Sequence, residues 1–554
     1  MRQMALLLAG VFSASMYYRM AAQVPTGNIS ASAGYVGNEL CRSCHKSIFE
    51  SYETTAMAHA SGPATEGLIP ADFLHQPSNI HFRIYKEGDA AWLSFERPGD
   101  AMVRGKRQLL YFIGSGHRGR SYLFSVDGFL FESPVNWYAR KQVWDMAPAY
   151  GNARQLPMNL PAFISCLNCH VSGAQAPVAG TENRYPSPPF SYSGVTCERC
   201  HGPGAAHLKG GPIVDPAKLP PKQRDEVCMQ CHLEGKVAIV RQGRQLADFR
   251  PGQILSDYVE YYVLKTNRAE QLGALSQFEA LGESVCKKQS GDSMSCTSCH
   301  DPHSSPTAEQ RVSFYRGKCL VCHGAVFGAQ HHAQNPDCTE CHMPSSPSSD
   351  VAHTEVTDHR ILRRPLIAPE MLQNLSSRSA KPELLAFDSS DEAAHDARDL
   401  ALAWETLADS GNVGAQSEAE RWLQLAAKQR PSDPAVLSTL GYLDQIRGDR
   451  EQARALYQQA LALDPTLLDA ATNLGVLEAQ SGHDNVALKL WQRAFERAPG
   501  RSNIGMNLAK VSCSAGKLED ARNAVLRVLE FNPDLPSAKT LLEHLNATPP
   551  SCSF

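Results

Sequence analysis

The hydrophobic pattern divides the chain into three textures. From about residue 395 to 548, apolar residues recur at helical spacing inside a 34-residue period. Gly448, Gly482 and Gly516 stand 34 apart, as do Leu440, Leu474 and Leu508, the alanines 419, 453, 487 and 521, and the prolines 431, 465, 499 and 533. A period of that length predicts stacked helix-turn-helix units, with small residues where helices cross and proline at each unit's end. Three good units follow one weak one, and a last helix is expected near SAKTLLEHL. Ala509 replaces the glycine seen at Gly441 and Gly475, and Leu407 stands there in the first unit; outer units of a solenoid are often degenerate in this way.

A second texture lies between residues 78 and 145. NIHFRIYKEGDAAWLSFE and SYLFSVDGFLFESPVNWY alternate apolar with polar residues around the turn signals EGD and DGF, which predicts a small antiparallel β insert. Trp137, Tyr138 and Trp144 are expected in its core. The rest of residues 30–360 has poor periodicity and dense glycine and proline, as in RYPSPPFSYSG and HGPGAAHLKGGP, so a loop-rich, mostly α domain with some core other than packed elements is expected. DYVEYYVLKTNRAEQLGALSQFEAL, from Asp257, reads as a helix pair, and residues 361–394 read as a linker.

At 554 residues and 43% hydrophobic content the chain is multidomain. A formal net charge of −4 gives no electrostatic case for nucleic acid or an anionic membrane. The start, MRQMALLLAGVFSASMYYRMAAQ, has Arg2, an apolar run of about a dozen residues and then small residues, and so predicts an export signal over residues 1–22. That run is short of the roughly 20 residues a spanning helix needs, so membrane association is expected only through a partner or an uncleaved signal.

Cysteine usage changes the picture most. Of 17 cysteines, 14 form pairs separated by two residues, each pair followed by histidine: CRSCH at 41, CLNCH at 166, CERCH at 197, CMQCH at 228, CTSCH at 296, CLVCH at 319 and CTECH at 338. Two thiols three apart can add to the two vinyl groups of a haem, and the next histidine then lies beneath the iron. A disulfide framework or zinc knuckles give no reason for histidine at that place. A redox dithiol would come once, beside a βαβ pattern. With 20 histidines in the chain, seven such placements by chance have odds on the order of one in ten to the tenth. The expectation is seven covalently attached haems. Their anchors are Cys41, Cys44, Cys166, Cys169, Cys197, Cys200, Cys228, Cys231, Cys296, Cys299, Cys319, Cys322, Cys338 and Cys341. The proximal ligands are His45, His170, His201, His232, His300, His323 and His342.

Thirteen histidines lie outside the motifs. His395, His483 and His544 fall in the repeats and are read as surface residues, while His75 and His81 flank the β insert and have weak claims. His303 in CHDPH, His207 in CHGPGAAH, and His331 and His332 in AQHHAQ are near attachment motifs and look like ligands to neighbouring haems. His59, His117, His353 and His359 complete the set. Met57 and Met343 could supply thioether ligands but are read as packing residues. Arg118 and Arg120, beside His117, are read as partners of haem propionates or carboxylates rather than of a substrate anion. Cys286 fits no motif and is read as a structural thiol.

YVGNELCRSCHKSIFESYETTAMAHA, CERCHGPGAAH, CTSCHDPH, and CHMP followed by HTEVTDHRI together resemble the multihaem c-type cytochromes related to the tetrahaem acceptor of hydroxylamine oxidoreductase. The match is to the branch that also carries tetratricopeptide repeats, which the 34-residue units resemble. The resemblance implies that His59, His117, His207, His303, one of His331 and His332, His353 and His359 are distal ligands, seven for seven haems. It implies an exported electron-transfer protein, periplasmic or on the cell exterior, with redox partner proteins and a solenoid for docking or self-assembly. Two alternatives stand beside it: a reductase or oxidoreductase of a small nitrogen or sulfur species at one open-faced haem, and a structural subunit of a haem-wired polymer. The solenoid reads as a separable module, so deleting residues 395–554 is expected to leave the haems in place.

Overall fold

The computed structural model describes residues 34–151, 153–265, 276–324, 335–347, 355–363, 383–387, 396–412 and 414–552. The export signal, His331, His332, His353, His395 and most of the expected linker lie outside the described residues. Among those described, no helix is long and apolar enough to cross a membrane.

The alternating segment folds as a nine-stranded antiparallel sheet of β1 (Ser61–Pro63), β2 (Ala71–His75), β3 (Ile80–Glu87), β4 (Ala90–Arg97), β5 (Asp100–Ile113), β6 (Gly119–Val126), β7 (Phe129–Glu132), β8 (Val135–Tyr138) and β9 (Val143–Met146). The order is β2-β3-β4-β5-β6-β8-β9, with β1 on β5 and β7 on β6. Period-two burial puts Ile80, Phe82 and Ile84 of β3 and Ala91, Leu93 and Phe95 of β4 into one core with Val103, Leu109, Phe112, Tyr122 and Phe124. Asp127 and Gly128, both at positive φ, make the tight link between β6 and β7. Tyr138 is buried, donating its hydroxyl to the Met146 carbonyl, while Trp144 packs on the core and stacks on Tyr122.

This sheet is larger than the small insert expected, and it begins earlier, at Ser61. The reason is local: β1 and β2 are three and five residues long, too short to produce a readable alternation. A second correction concerns residues 257–281. Val259–Lys265 is a strand between Val237–Val240 and Glu383–Ala386, and among the described residues of this segment Gln277–Glu283 is the α-helix, residues 266–275 lying outside those described. VEYYVLK is a short apolar run, and periodicity alone does not separate a buried strand from a helix there. Part of the expected linker is therefore a strand of a three-stranded sheet. Among the described residues the domain therefore carries a large antiparallel sheet beside its short helices.

The C-terminal part has, among the described residues, four antiparallel helix pairs and a last helix: Ala397–Asp409 with Ala415–Gln429, Pro434–Arg447 with Arg450–Leu463, Leu468–Gln480 with Asp484–Arg497, Ser502–Ser514 with Leu518–Phe531, then Pro536–Asn546. Gly448, Gly482 and Gly516 all lie between paired helices at positive φ, the left-handed position that ends a helix cheaply only for glycine. A Cβ on Gly441 would meet the Tyr457 ring, and one on Gly475 the Trp491 indole. One period later the equivalent positions are Ala509 and Val525, both fully buried. The small residue grows as its partner shrinks, which is the physical reason for the missing glycine. Cys552 closes a disulfide to Cys513 in the helix Ser502–Ser514.

The solenoid is not a free module. Val237, Ile239, Tyr262, Leu384 and Ala386 of the three-stranded sheet share one core with Ala397, Leu400, Ala401, Trp404 and Trp422. Above that core Arg398, fully buried, binds Asp399 at 2.6 Å and Asp433 at 2.7 Å, and Arg241 binds Asp399 at 2.8 Å and also Glu260. At the other end Phe531 enters the core of the nine-stranded sheet, its ring 5.4 Å from that of Phe131. The loops between repeats carry this contact: Gly500 accepts from Asn159, Arg501 pairs with Glu182, and Asp534 pairs with Arg97. The edge of the solenoid formed by these loops runs along the motif-bearing body.

Candidate cofactor site

Most attachment motifs sit at the end of a short helix, as in Ile164–His170, Pro221–His232, Arg311–His323 and Cys338–His342. One helical turn explains the arrangement: residues three and four apart share a face, so both thiols and the following histidine point the same way. His45, His201 and His300 each donate their backbone N–H to the carbonyl of the first cysteine, at 2.9–3.0 Å. CTSCH forms only a 3-10 turn over Cys296–Ser298 but closes with that same bond.

Motifs far apart in sequence meet through their cysteines. Side-chain contacts join Cys41 to Cys197, Cys169 to Cys231, Cys228 to Cys296, and Cys319 to Cys338. Cys200 lies within electrostatic range of Cys231, and Cys299 of Cys322. In space the motifs at 41, 197, 228, 296, 319 and 338 therefore form one continuous series, with the motif at 166 joining at 228. Burial pushes the Cys166 and Cys200 thiols up to about 11.

Among the described residues, three motif histidines face a histidine from elsewhere in the chain. Ring centroids are 6.4 Å apart for His45 and His207, 5.9 Å for His201 and His303, and 6.3 Å for His300 and His359, with interplanar angles of 17°, 8° and 31°. Two imidazoles on opposite sides of one metal, each at roughly 2.0–2.1 Å from nitrogen to metal, put their centroids about 6.3 Å apart. The spacing fits an iron held between each pair.

The other ring nitrogen agrees with this. Nδ1 faces a backbone carbonyl in His201 (Val214, 2.9 Å), His207 (Gly211, 3.1 Å), His342 (Leu362, 2.6 Å) and His359 (Thr357, 3.0 Å). That bond fixes the tautomer with the proton on Nδ1 and leaves Nε2 as the lone-pair donor. Burial lowers the proton affinity of His170, His303 and His359, which favours the neutral, ligating form. The chemistry of the donor set therefore fits covalently attached haem.

Not every expected ligand is so placed. His59 gives Nε2 to the Glu53 carbonyl at 2.7 Å, leaving Nδ1. His117 lines a cavity of about 370 Å³ with Gly67, Ile69, Arg120, Tyr122 and Trp137. Arg120 donates to the Glu66 carbonyl at 2.7 Å and covers the Phe112 ring. His75 binds Ser78, and His81 binds Asp72. Cys286 lies within electrostatic range of Cys299, Cys319 and Cys322.

One supporting residue was missed in the sequence. Glu198, inside CERCH and almost fully buried, accepts from the backbone N–H groups of Val36, Gly37 and Gly204, tying the segment before the first motif to the third. A carboxylate inside a motif followed by GPG was the available signal.

Residues 144–202 match the family model described as cytochrome c554 and c-prime. The chain is 27% identical over 177 residues to the multiheme cytochrome MtrA of Shewanella baltica (strain OS185), an alignment covering 30% of this chain and 53% of that one. It is 30% identical over 119 residues to tetratricopeptide repeat protein 7A of Homo sapiens, covering 22% of this chain and 14% of that one. The chain thus spans about half of the cytochrome relative and a small part of the repeat protein. Among solved structures, a MamA double mutant aligns at 21% identity with a TM-score of 0.24, covering 27% of this chain and 84% of that one. The first tetratricopeptide domain of Spaghetti (RPAP3), bound to an HSP90 peptide, aligns at 21% identity with a TM-score of 0.20, covering 21% and 94%. The chain is similar to multihaem c-type cytochromes on one side and to tetratricopeptide-repeat proteins on the other, a likeness that supports covalently bound haem.

Proposed function

We propose that this chain is an exported heptahaem c-type cytochrome that relays electrons between redox partner proteins, with its solenoid as the docking or assembly surface. The observation that carries the reading is the set of three facing pairs, His45 with His207, His201 with His303 and His300 with His359. An iron held by both imidazoles of such a pair would offer no open position to a substrate, which favours electron transfer over catalysis. When bound, the haems supply the one-electron couple. The chain's part is to anchor through paired thiols, hold imidazoles neutral and oriented, and keep consecutive motifs in contact. Export is supported by the apolar N-terminal run and by the Cys513–Cys552 disulfide, which suits an oxidising compartment. The remaining distal positions are assigned to His59, His117, His353 and one of His331 and His332.

Intact mass with low-temperature electron paramagnetic resonance tests this reading. Seven haems with low-spin ferric signals throughout are expected; fewer than seven attached haems would overturn the count, and a predominantly high-spin spectrum the relay.

The cavity beside His117 favours a second reading. Its lining of Arg120, Tyr122, Trp137 and His117 could admit a small nitrogen or sulfur oxyanion to one open-faced haem. A change in the ferric spectrum on adding nitrite or cyanide supports it, and an unchanged spectrum removes it.

A further inference from the structure

We infer that Arg199 sets the reduction potential of the haems attached at CLNCH and CMQCH, acting as a fixed positive charge at the junction of three motifs; the inference rests on haem attachment at those motifs. Arg199 is the residue between Glu198 and the second cysteine of CERCH, within the short helix Glu198–His201, and it is only 9% exposed. One guanidinium nitrogen donates to the Asn168 carbonyl of CLNCH at 2.8 Å. Gln230 of CMQCH donates to the Arg199 carbonyl at 3.2 Å. The guanidinium is thereby tied to the second motif and touches Cys231 of the fourth, while the residue's backbone is held by Gln230 of that fourth motif and belongs itself to the third.

Thiols and a phenol dominate the electrostatic surroundings of the guanidinium among the described residues. The strongest electrostatic neighbours of the guanidinium are Cys231, Tyr35 and Cys169. None is a carboxylate. Cys231 and Cys169 are attachment cysteines, and once each forms a thioether it carries no charge. The Arg199 Nε and the Asn168 Nδ2 are both buried without a hydrogen-bond partner, so this junction presents unmatched donors. A buried unit charge that loses its neighbours' compensation acts strongly on whatever redox group lies near it.

The sign follows from Coulomb's law. Reduction adds an electron, and a nearby cation stabilises the added negative charge, so the affected haems are easier to reduce. For a redox group lying within about 10 Å at an effective dielectric near 20, one unit charge would shift a one-electron equilibrium by roughly tenfold, equivalent to about 59 mV. Arginine, which stays protonated throughout the accessible pH range, makes that bias independent of pH. In the series of motifs, those at 166 and 228 would then lie above the potential expected for bis-histidine haems lacking such a charge.

The test is an optically monitored redox titration of full-length R199Q and R199K, with haem content counted by mass. R199Q is expected to keep its haems and shift part of the titration, two haems' worth, downward by about tenfold in equilibrium constant. R199K, keeping the charge, is expected to stay near wild type. A superimposable R199Q curve at full haem content overturns the inference. Should R199Q fail to fold, Asn168→Asp places a carboxylate at the same junction and is expected to give the same downward shift; its absence is equally decisive. Haems missing from these two motifs in the wild-type chain would instead defeat the attachment reading itself.

Discussion

The imidazoles of His201 and His303 lie 5.9 Å apart and within 8° of parallel, although they belong to different motif segments. His303 follows its own motif by three residues, on the step Asp301-Pro302, and its backbone N–H is held by the Asp301 carboxylate at 2.9 Å. That turn directs it away from His300, which faces His359 instead. Replacing His303 by alanine is expected to convert one haem from low-spin to high-spin while leaving all attachments in place. Electron paramagnetic resonance and haem counting check it; a spectrum without new high-spin signal would remove His303 from the ligand set.

The junction between Arg97 and Asp534 should control how the solenoid is held in acid. Burial alone would raise the Asp534 carboxyl, but hydrogen bonds from Arg97, Lys539 and the Leu156 N–H hold it below its usual range. Asp100, bonded by Lys539, is depressed as well. A depressed folded value gives stability that is complete well above the unfolded value, about 3.9 for aspartate, and is lost as pH falls through the lower folded value. Thermal melts should therefore be flat in this contribution from pH 7 to 5 and fall below about 4. Asp534→Ala, which takes one of two carboxylates from Arg97 and Lys539 and leaves the buried Leu156 N–H unpaired, should cost about 1–3 kcal/mol at pH 7; a loss below 1 kcal/mol would show the pair to be incidental.

Helix crossing in the repeats makes a third prediction. Trp491 donates its indole N–H to the Thr472 carbonyl at 3.0 Å and covers Gly475 so closely that an added Cβ would lie 2.5 Å from the indole nitrogen. Gly475→Ala should cost about 1–3 kcal/mol through overpacking. In the background of Trp491→Val the same substitution should be close to neutral, reproducing the Ala509 and Val525 pair found one period on. A double-mutant cycle by chemical denaturation reads the coupling, and additive effects would refute the size-matching account.

How much of this was legible differs by element, for physical reasons. The 34-residue period was readable because each unit repeats the same small residues at helix crossings, whereas the aromatic partners of Gly441 and Gly475, Tyr457 and Trp491, emerge only from the folded chain. The attachment motifs were readable because thioether chemistry dictates their spacing. The pairing of His45 with His207 was not, since a ligand's partner is set by how loops such as residues 202–216 fold back, and those loops have no period. Val259–Lys265 was misread because a strand buried on both faces loses its alternation. The shared core was invisible too: Phe531 reads as an ordinary helix residue until the sheet that receives it exists.

That shared core changes the expectation for a chain lacking the solenoid. Removing residues 395–554 would uncover Val237, Ile239, Tyr262, Leu384 and Ala386 at one end and the Phe531 site beside Phe131 at the other. It would also take Asp399 from Arg241, leaving Glu260 as the carboxylate paired with it. Each large apolar side chain returned to water costs about 1.5–3 kcal/mol, so a handful of them equals the whole stability of an ordinary domain. The truncated chain is expected to aggregate or to incorporate fewer haems, rather than to persist as an intact cytochrome. Phe531→Ala separates packing from length: with every residue beyond 395 present, it should cost about 3–5 kcal/mol and loosen the sheet-side end of the solenoid to proteolysis near Gly500. A truncated chain that is monomeric, fully loaded with haem and as stable as the whole would establish the solenoid as an independent module after all.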